Sequence, residues 1–128
     1  MSDSHPLAAL ETVVLVGLGG FAGSNLRYFV GLVAPGLEGT LLVNVVGSFA
    51  LGLLFYEAIH VGLIASETNV AATTGFLSSF TTYSTFAVET VQQTPLVAVG
   101  NVAASYALGF AGVLVARALV QRFEREGT

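Results

Sequence analysis

Gly75-Phe76-Leu77-Ser78-Ser79-Phe80-Thr81-Thr82-Tyr83-Ser84-Thr85-Phe86 is the stretch on which the reading of this chain turns. It lies within a long apolar segment, yet Thr73, Thr74, Ser78, Ser79, Thr81, Thr82, Ser84 and Thr85 crowd hydroxyls into it. Ser and Thr compete with the helix ladder by bonding nearby backbone, and Thr is stiff at its branched β-carbon. In a bilayer, non-helical backbone survives only where protein buries it or where it lines a wet cavity. Two readings are open. The run is a broken transmembrane helix at a functional centre, or it is a Ser/Thr-rich helix whose hydroxyls bond back to their own carbonyls.

The surroundings say membrane. The chain has 128 residues, 54% of them hydrophobic, and a mean hydropathy of +0.80. Charged residues make up 9%, against about 25% in a soluble domain. There is no Cys, so thiolate metal sites, thiol nucleophiles and disulfides are excluded. There is no Lys, and Arg27, Arg117, Arg122 and Arg125 form no basic patch for nucleic acid. The opening MSDSHPLAALE lacks a basic region before its apolar run and is not read as a cleaved signal peptide. The net charge of −4 without Lys fits an acidic proteome such as that of a salt-loving microbe.

A transmembrane helix needs about 20 mostly apolar residues. The chain offers four such runs: Leu7 to Val33, Gly39 to Ile59, Asn69 to Val91 and Leu96 to Val120. Pro35-Gly36 closes the first, Pro95 opens the fourth, and the charged tail QRFEREGT closes it. Short loops make consecutive helices antiparallel neighbours, in one domain covering residues 1–128.

Residues four apart lie above one another on a helix. Gly19, Gly23 and Arg27 share a face of the first helix, Thr40, Asn44, Ser48 and Gly52 one of the second, and Asn101, Ser105 and Gly109 one of the fourth. Small residues let helices approach closely in lipid, which is the preferred reading for these glycines. Asn44 and Asn101 differ, because a buried amide is costly unless partnered. Each either joins helices or faces a polar path. Arg27 is the basic residue well inside a span, so it is either functional or snorkelling to the interface. Glu57 is expected at a membrane surface, Glu11 near the start of the first span, and Glu89 facing a vestibule. Three arginines lie on the side of the termini and one on the other, a bias weak enough for insertion both ways.

In these residues the chain resembles the Fluc (CrcB) fluoride channels from end to end. The first-helix motif of that family, G-x-x-G-x-x-x-R-Y, is matched by Gly20-Phe21-Ala22-Gly23-Ser24-Asn25-Leu26-Arg27-Tyr28. The second, G-T-L-x-V-N-x-x-G-S-F, is matched from Gly39 through Asn44 and Gly47 to Phe49. The third is matched, with substitutions, by Gly75 to Phe86, and Asn101, Ser105 and Gly109 take the fourth-helix positions. The resemblance implies an all-α membrane protein of four transmembrane helices, the third broken mid-membrane, assembled as an antiparallel dual-topology dimer. It implies passage of fluoride through pores at the subunit contact, no enzymatic activity, and a location in the cell membrane.

It also implies a central structural Na⁺ on the backbone carbonyls of Ser78 and Thr81, which would be held rather than transported. Asn44 takes the pore amide position, Tyr83 and Phe86 the two ring positions, and Ser84, Thr85 and Ser105 the polar-track positions. Arg27, Gly23, Gly47 and Gly75 are structural. The chain departs from the pattern in three places. Ser78-Ser79 replaces Gly-Gly, which strains the backbone if positive φ is needed. Tyr83 replaces Phe, and Asn101 replaces Tyr. The Ser-Ser change keeps open a partner that is a paralogous subunit rather than a second copy.

Those residue types suit fluoride, which hydrates strongly and needs donors in place of water. Hydroxyls and the Asn amide donate hydrogen bonds, and aromatic rings present a positive edge. Weak, multiple sites allow conduction where a fixed charge would trap the ion. One rival is a proton-coupled transporter of the small multidrug type, which needs a carboxylate deep in the first helix; Glu11 is too near its start. Another is a non-conducting membrane anchor, which explains glycine stripes but not hydroxyls and rings at family spacing.

Overall fold

The computed structural model describes residues 5–127, so the N-terminal reading over residues 1–4 and the last residue of the charged tail lie outside it. Helix α1, Pro6–Val33, opens with Pro at its first turn, and the His5 ring Nδ1 accepts from the Leu7 N–H at 3.1 Å. Helix α2, Leu37–His60, follows Gly36, whose φ of 78° is a left-handed value that favours glycine. Its C-terminal turn is closed by Gly62 at φ 72°, with the Gly62 N–H on the Glu57 carbonyl at 2.7 Å. The Glu57 carboxylate reaches past that turn and accepts the Leu63 and Ile64 N–H groups at 2.6 and 2.9 Å.

The third apolar run is built in pieces. Helix α3, Ser66–Val70, passes into a π-helical stretch, Ala71–Leu77, and then into one α-helical turn, α4, Ser78–Phe80. The chain leaves the helix at Thr81 and resumes as α5, Ser84–Val91. Helix α6, Pro95–Glu126, starts with Thr94 at its cap and Pro95 inside it. It runs beyond the expected stop near Val120, straight through the charged tail. Arg122 and Glu126, one turn apart, pair at 3.2 Å, and His60 of α2 meets Glu124 at 3.3 Å, so the tail's charges support the helix rather than end it.

All regular structure among the described residues is helical. Among the described residues three helices, α1, α2 and α6, are long and apolar enough to cross a membrane. Their outward faces carry large apolar side chains such as Phe21, Phe55 and Phe110. The interior is small and centres on Val43 of α2, Leu77 and Phe80.

Helix α1 packs on the π-helical stretch and α2 on α6. Glycine permits both contacts. A Cβ on Gly19 would sit 2.6 Å from the Ala71 carbonyl oxygen, one on Gly75 2.6 Å from that of Val16, and one on Gly23 would strike the Phe76 carbonyl. On the other side Gly52 sits against Ala116 and Val113, where a Cβ would lie 3.0 Å from Ala116 Cβ. Backbone-to-backbone approach of this kind replaces the hydrophobic drive that lipid does not supply.

Candidate functional site

The site is built around the three residues between α4 and α5. Thr81 is extended, with φ −83° and ψ 165°, although its N–H still reaches the Leu77 carbonyl at 3.0 Å. In a continuous helix the Thr82 N–H would bond the Ser78 carbonyl. Here it donates to Asn44 Oδ1 at 2.8 Å, while Asn44 Nδ2 donates to the Thr82 carbonyl at 2.8 Å. The Thr85 N–H, which helix continuity would give to the Thr81 carbonyl, goes to Thr82 Oγ1 at 3.2 Å. The break therefore directs two amide donors away from the Ser78 and Thr81 carbonyls. Arg27 Nη1 of α1 donates to the Thr81 carbonyl at 3.1 Å, which leaves that oxygen its second lone pair. Gly47 makes room on α2 for the Thr81 methyl.

Both readings of the hydroxyl run find a part in this geometry. Thr73 bonds back to the Asn69 carbonyl at 2.8 Å, Ser78 to that of Thr74, and Thr81 to that of Leu77 at 3.0 Å. Thr82 instead caps the following turn. Ser78 has φ −64° and ψ −27°, and no described non-glycine residue has positive φ. Ser78-Ser79 therefore occupies ordinary backbone, and the strain expected of a missing Gly-Gly does not arise.

Two cavities flank the break. One, of about 460 Å³, is lined by Asn44, Ser78, Thr81, Tyr83, Phe86 and Ser105, among others. The Ser105 hydroxyl is buried and has no protein partner. The other, of about 550 Å³, gathers Arg27, Thr40, Thr82, Thr85 and Glu89. Within it Thr40 Oγ1 donates to Glu89 Oε1 at 2.5 Å.

The residues chosen from sequence are thus divided. Asn44, Tyr83, Phe86, Ser105, Ser78 and Thr81 meet in the first cavity, and Thr85 opens onto the second. Ser84 lines neither; it is exposed, with its hydroxyl 3.5 Å from that of Thr82. The helix has resumed by then, and each step turns the side chain by about 100°.

The two rings differ in setting. Phe86 is 9% exposed and Tyr83 72%, with centroids 5.8 Å apart. Phe86 meets Tyr106 of α6 edge to face at 6.5 Å and 83°. Sequence reading passed over Tyr106. The available signal was the Tyr106–Phe110 pair, four residues apart on α6 beside Ser105, and its rings are 6.1 Å apart. Asn101 turns away from the first cavity and donates to Thr90 Oγ1 at 2.8 Å. Glu11 is an exposed residue in the second turn of α1.

Residues 14–117, which hold the break and both cavities, match the family model described as CrcB-like protein, Camphor Resistance (CrcB). The chain belongs to the CrcB family. Among CrcB-related proteins, one from Haloarcula marismortui named Fluoride-specific ion channel FluC 1 is 72% identical over 127 residues, covering 99% of both chains. One of the same name from Natronomonas pharaonis is 49% identical over 87% of this chain and 95% of its own. Fluoride-specific ion channel FluC 2 of Halobacterium salinarum is 49% identical over 85% of this chain and 86% of its own. The CrcB match ends at Arg117, within α6 and before the tail that pairs with His60.

Proposed function

We propose that this chain is a fluoride channel, not an enzyme, and that it lets cytoplasmic fluoride leave the cell passively across the plasma membrane. The observation that carries the reading is the break at residues 81–83, held open by Asn44, beside a cavity lined by hydroxyls, an amide and aromatic rings. The names of relatives up to 72% identical support it. Neutral HF enters from acidic surroundings and ionises inside. A negative-inside potential then expels the anion at about 2.3 kcal/mol per charge per 100 mV. Asn44 and Ser105 would donate to the ion, and the edges of Phe86 and Tyr83 would accompany it where hydroxyls end.

In this proposal residues 1–128 form one four-helix transmembrane domain, whose third span, broken mid-membrane, is residues 66–91. Two such domains pair antiparallel, as two copies or as one copy with a paralogous subunit. The relatives' names are numbered 1 and 2, which is compatible with either pairing. A structural Na⁺ would find hard oxygen donors at the break, in the Ser78 carbonyl and in the lone pair that Arg27 leaves on the Thr81 carbonyl, because the local amides turn to Asn44 and Thr82 instead. When bound, it would supply positive potential and tie two breaks together.

The test is fluoride efflux from liposomes holding purified protein, with chloride as control. Fluoride flux without chloride flux is expected. Equal flux of the two anions would end the channel reading, and proton antiport driven by an organic cation would favour the transporter. The place of Glu11, in the second turn of α1 rather than deep in it, speaks against that rival.

A further inference from the structure

The second arm of the break, α5, is eight residues long. Two helical turns do not persist in isolation, because nucleation costs more than so few ladder bonds recover. Neighbouring helices must therefore set its roll and tilt. Successive residues point about 100° apart, which lets Glu89 and Thr90 reach different neighbours. Glu89 accepts from Thr40 of α2 at 2.5 Å, and Thr90 Oγ1 accepts from Asn101 Nδ2 of α6 at 2.8 Å.

The Thr90 hydroxyl does not stop there. It donates to the Phe86 carbonyl at 2.6 Å. The relay is chemically complete, since a hydroxyl accepts one hydrogen bond while donating its own. It ends on the backbone of the residue whose ring meets Tyr106, also on α6. Helix α6 thus holds Phe86 twice, by its carbonyl through Thr90 and by its ring through Tyr106. The Glu89–Thr40 bond ties α5 to α2 one turn further on, whereas the two holds from α6 act at Phe86 itself and fix the direction in which its edge points.

We propose that Asn101 is a positioning residue for the Phe86 ring, acting through the Thr90 hydroxyl. The consequence for flux rests on the channel reading; the mechanical part does not. Asn101→Leu removes the donor, Thr90→Val removes the hydroxyl at constant shape, and Thr90→Ser keeps it. Asn101→Leu and Thr90→Val should each lower fluoride flux roughly five- to tenfold with the dimer intact, the worth of about one hydrogen bond. The double variant should be no worse than either single one, because both cut the same relay. Thr90→Ser should conduct like the wild type.

Amide exchange read by mass spectrometry tests the same relay without flux: exchange in residues 86–91 should rise in Asn101→Leu and Thr90→Val and stay unchanged in residues 66–80. Multiplied losses in the double variant, wild-type flux in Thr90→Val, or unchanged exchange in residues 86–91 would each overturn the proposal. Should Asn101→Leu fail to assemble, Thr90→Val against Thr90→Ser carries the test, and equal exchange in that pair overturns it. A wild-type protein that passes no fluoride would end the channel reading alone, leaving exchange to decide the relay.

Discussion

The side-chain amide of Asn44 pairs with the peptide of Thr82 at both ends, accepting its N–H and donating to its carbonyl, each at 2.8 Å. An amide facing an amide mimics a strand pair, and it satisfies two backbone groups that an interrupted helix would otherwise leave unpaired. Asn44 Nδ2 carries a second hydrogen, and Asn44 lines the first cavity. Holding the break and donating to an ion are therefore compatible roles for one side chain.

Asn44→Asp should abolish flux while the protein stays folded and assembled like the wild type. The carboxylate still accepts the Thr82 N–H, but its other oxygen faces the Thr82 carbonyl with no hydrogen between them, and its charge repels an anion. Asn44→Ala, without the charge, should destabilise the protein by about 1 kcal/mol, the cost of leaving half-buried backbone groups unpaired. Liposome flux and thermal melting in detergent separate the two. Wild-type flux in Asn44→Asp would remove Asn44 from the ion path.

Arg27 is predicted to act on the break rather than on the membrane surface. Arg27→Met keeps the apolar stem but loses the bond to the Thr81 carbonyl, and a charge-assisted bond of that kind contributes about 1.5–3 kcal/mol. Arg27→Lys keeps the charge and part of the donation and should lose less. Melting temperatures that are the same for wild type, Lys and Met would return Arg27 to snorkelling.

Phe86→Ile keeps bulk and apolarity and removes the positive ring edge. It should cut fluoride flux severely at matched reconstitution, whereas Tyr83→Phe, which keeps the ring and its edge, should be mild. Near-wild-type flux in Phe86→Ile would take this ring out of the path. The contact with Tyr106 adds a control, because Tyr106→Leu should weaken flux by letting the Phe86 ring turn.

Glycine pairs test the packing of α1. Gly23→Ala would drive a methyl into the Phe76 carbonyl and should destabilise by roughly 1–3 kcal/mol or prevent folding. Gly17→Ala, with nothing within 4 Å of the added carbon, should be neutral or stabilising by about 0.5–1 kcal/mol. Melting of the two proteins side by side gives the contrast, and equal values would mean that α1 does not pack on the π-helical stretch as described.

Residue order alone was enough for the membrane character, the apolar runs and the family. Apolar length, scarce charge and motif spacing are one-dimensional quantities, and bilayer thickness converts them directly into helices. The hydroxyl run around Thr81 and Thr82 was legible as a place where a helix is weak, because Ser and Thr compete with the ladder through their own side chains. Which hydroxyl would bond back and which would cap was decided by contacts from elsewhere. Asn44 and Arg27 lie 38 and 54 residues from their partners Thr82 and Thr81, and no local pattern encodes that pairing. Tertiary packing likewise sent Ser84 outward, turned Asn101 onto Thr90 and set Tyr106 against Phe86. Side-chain direction on a short helix depends on its roll, and the roll of α5 is set by α2 and α6 rather than by its own eight residues.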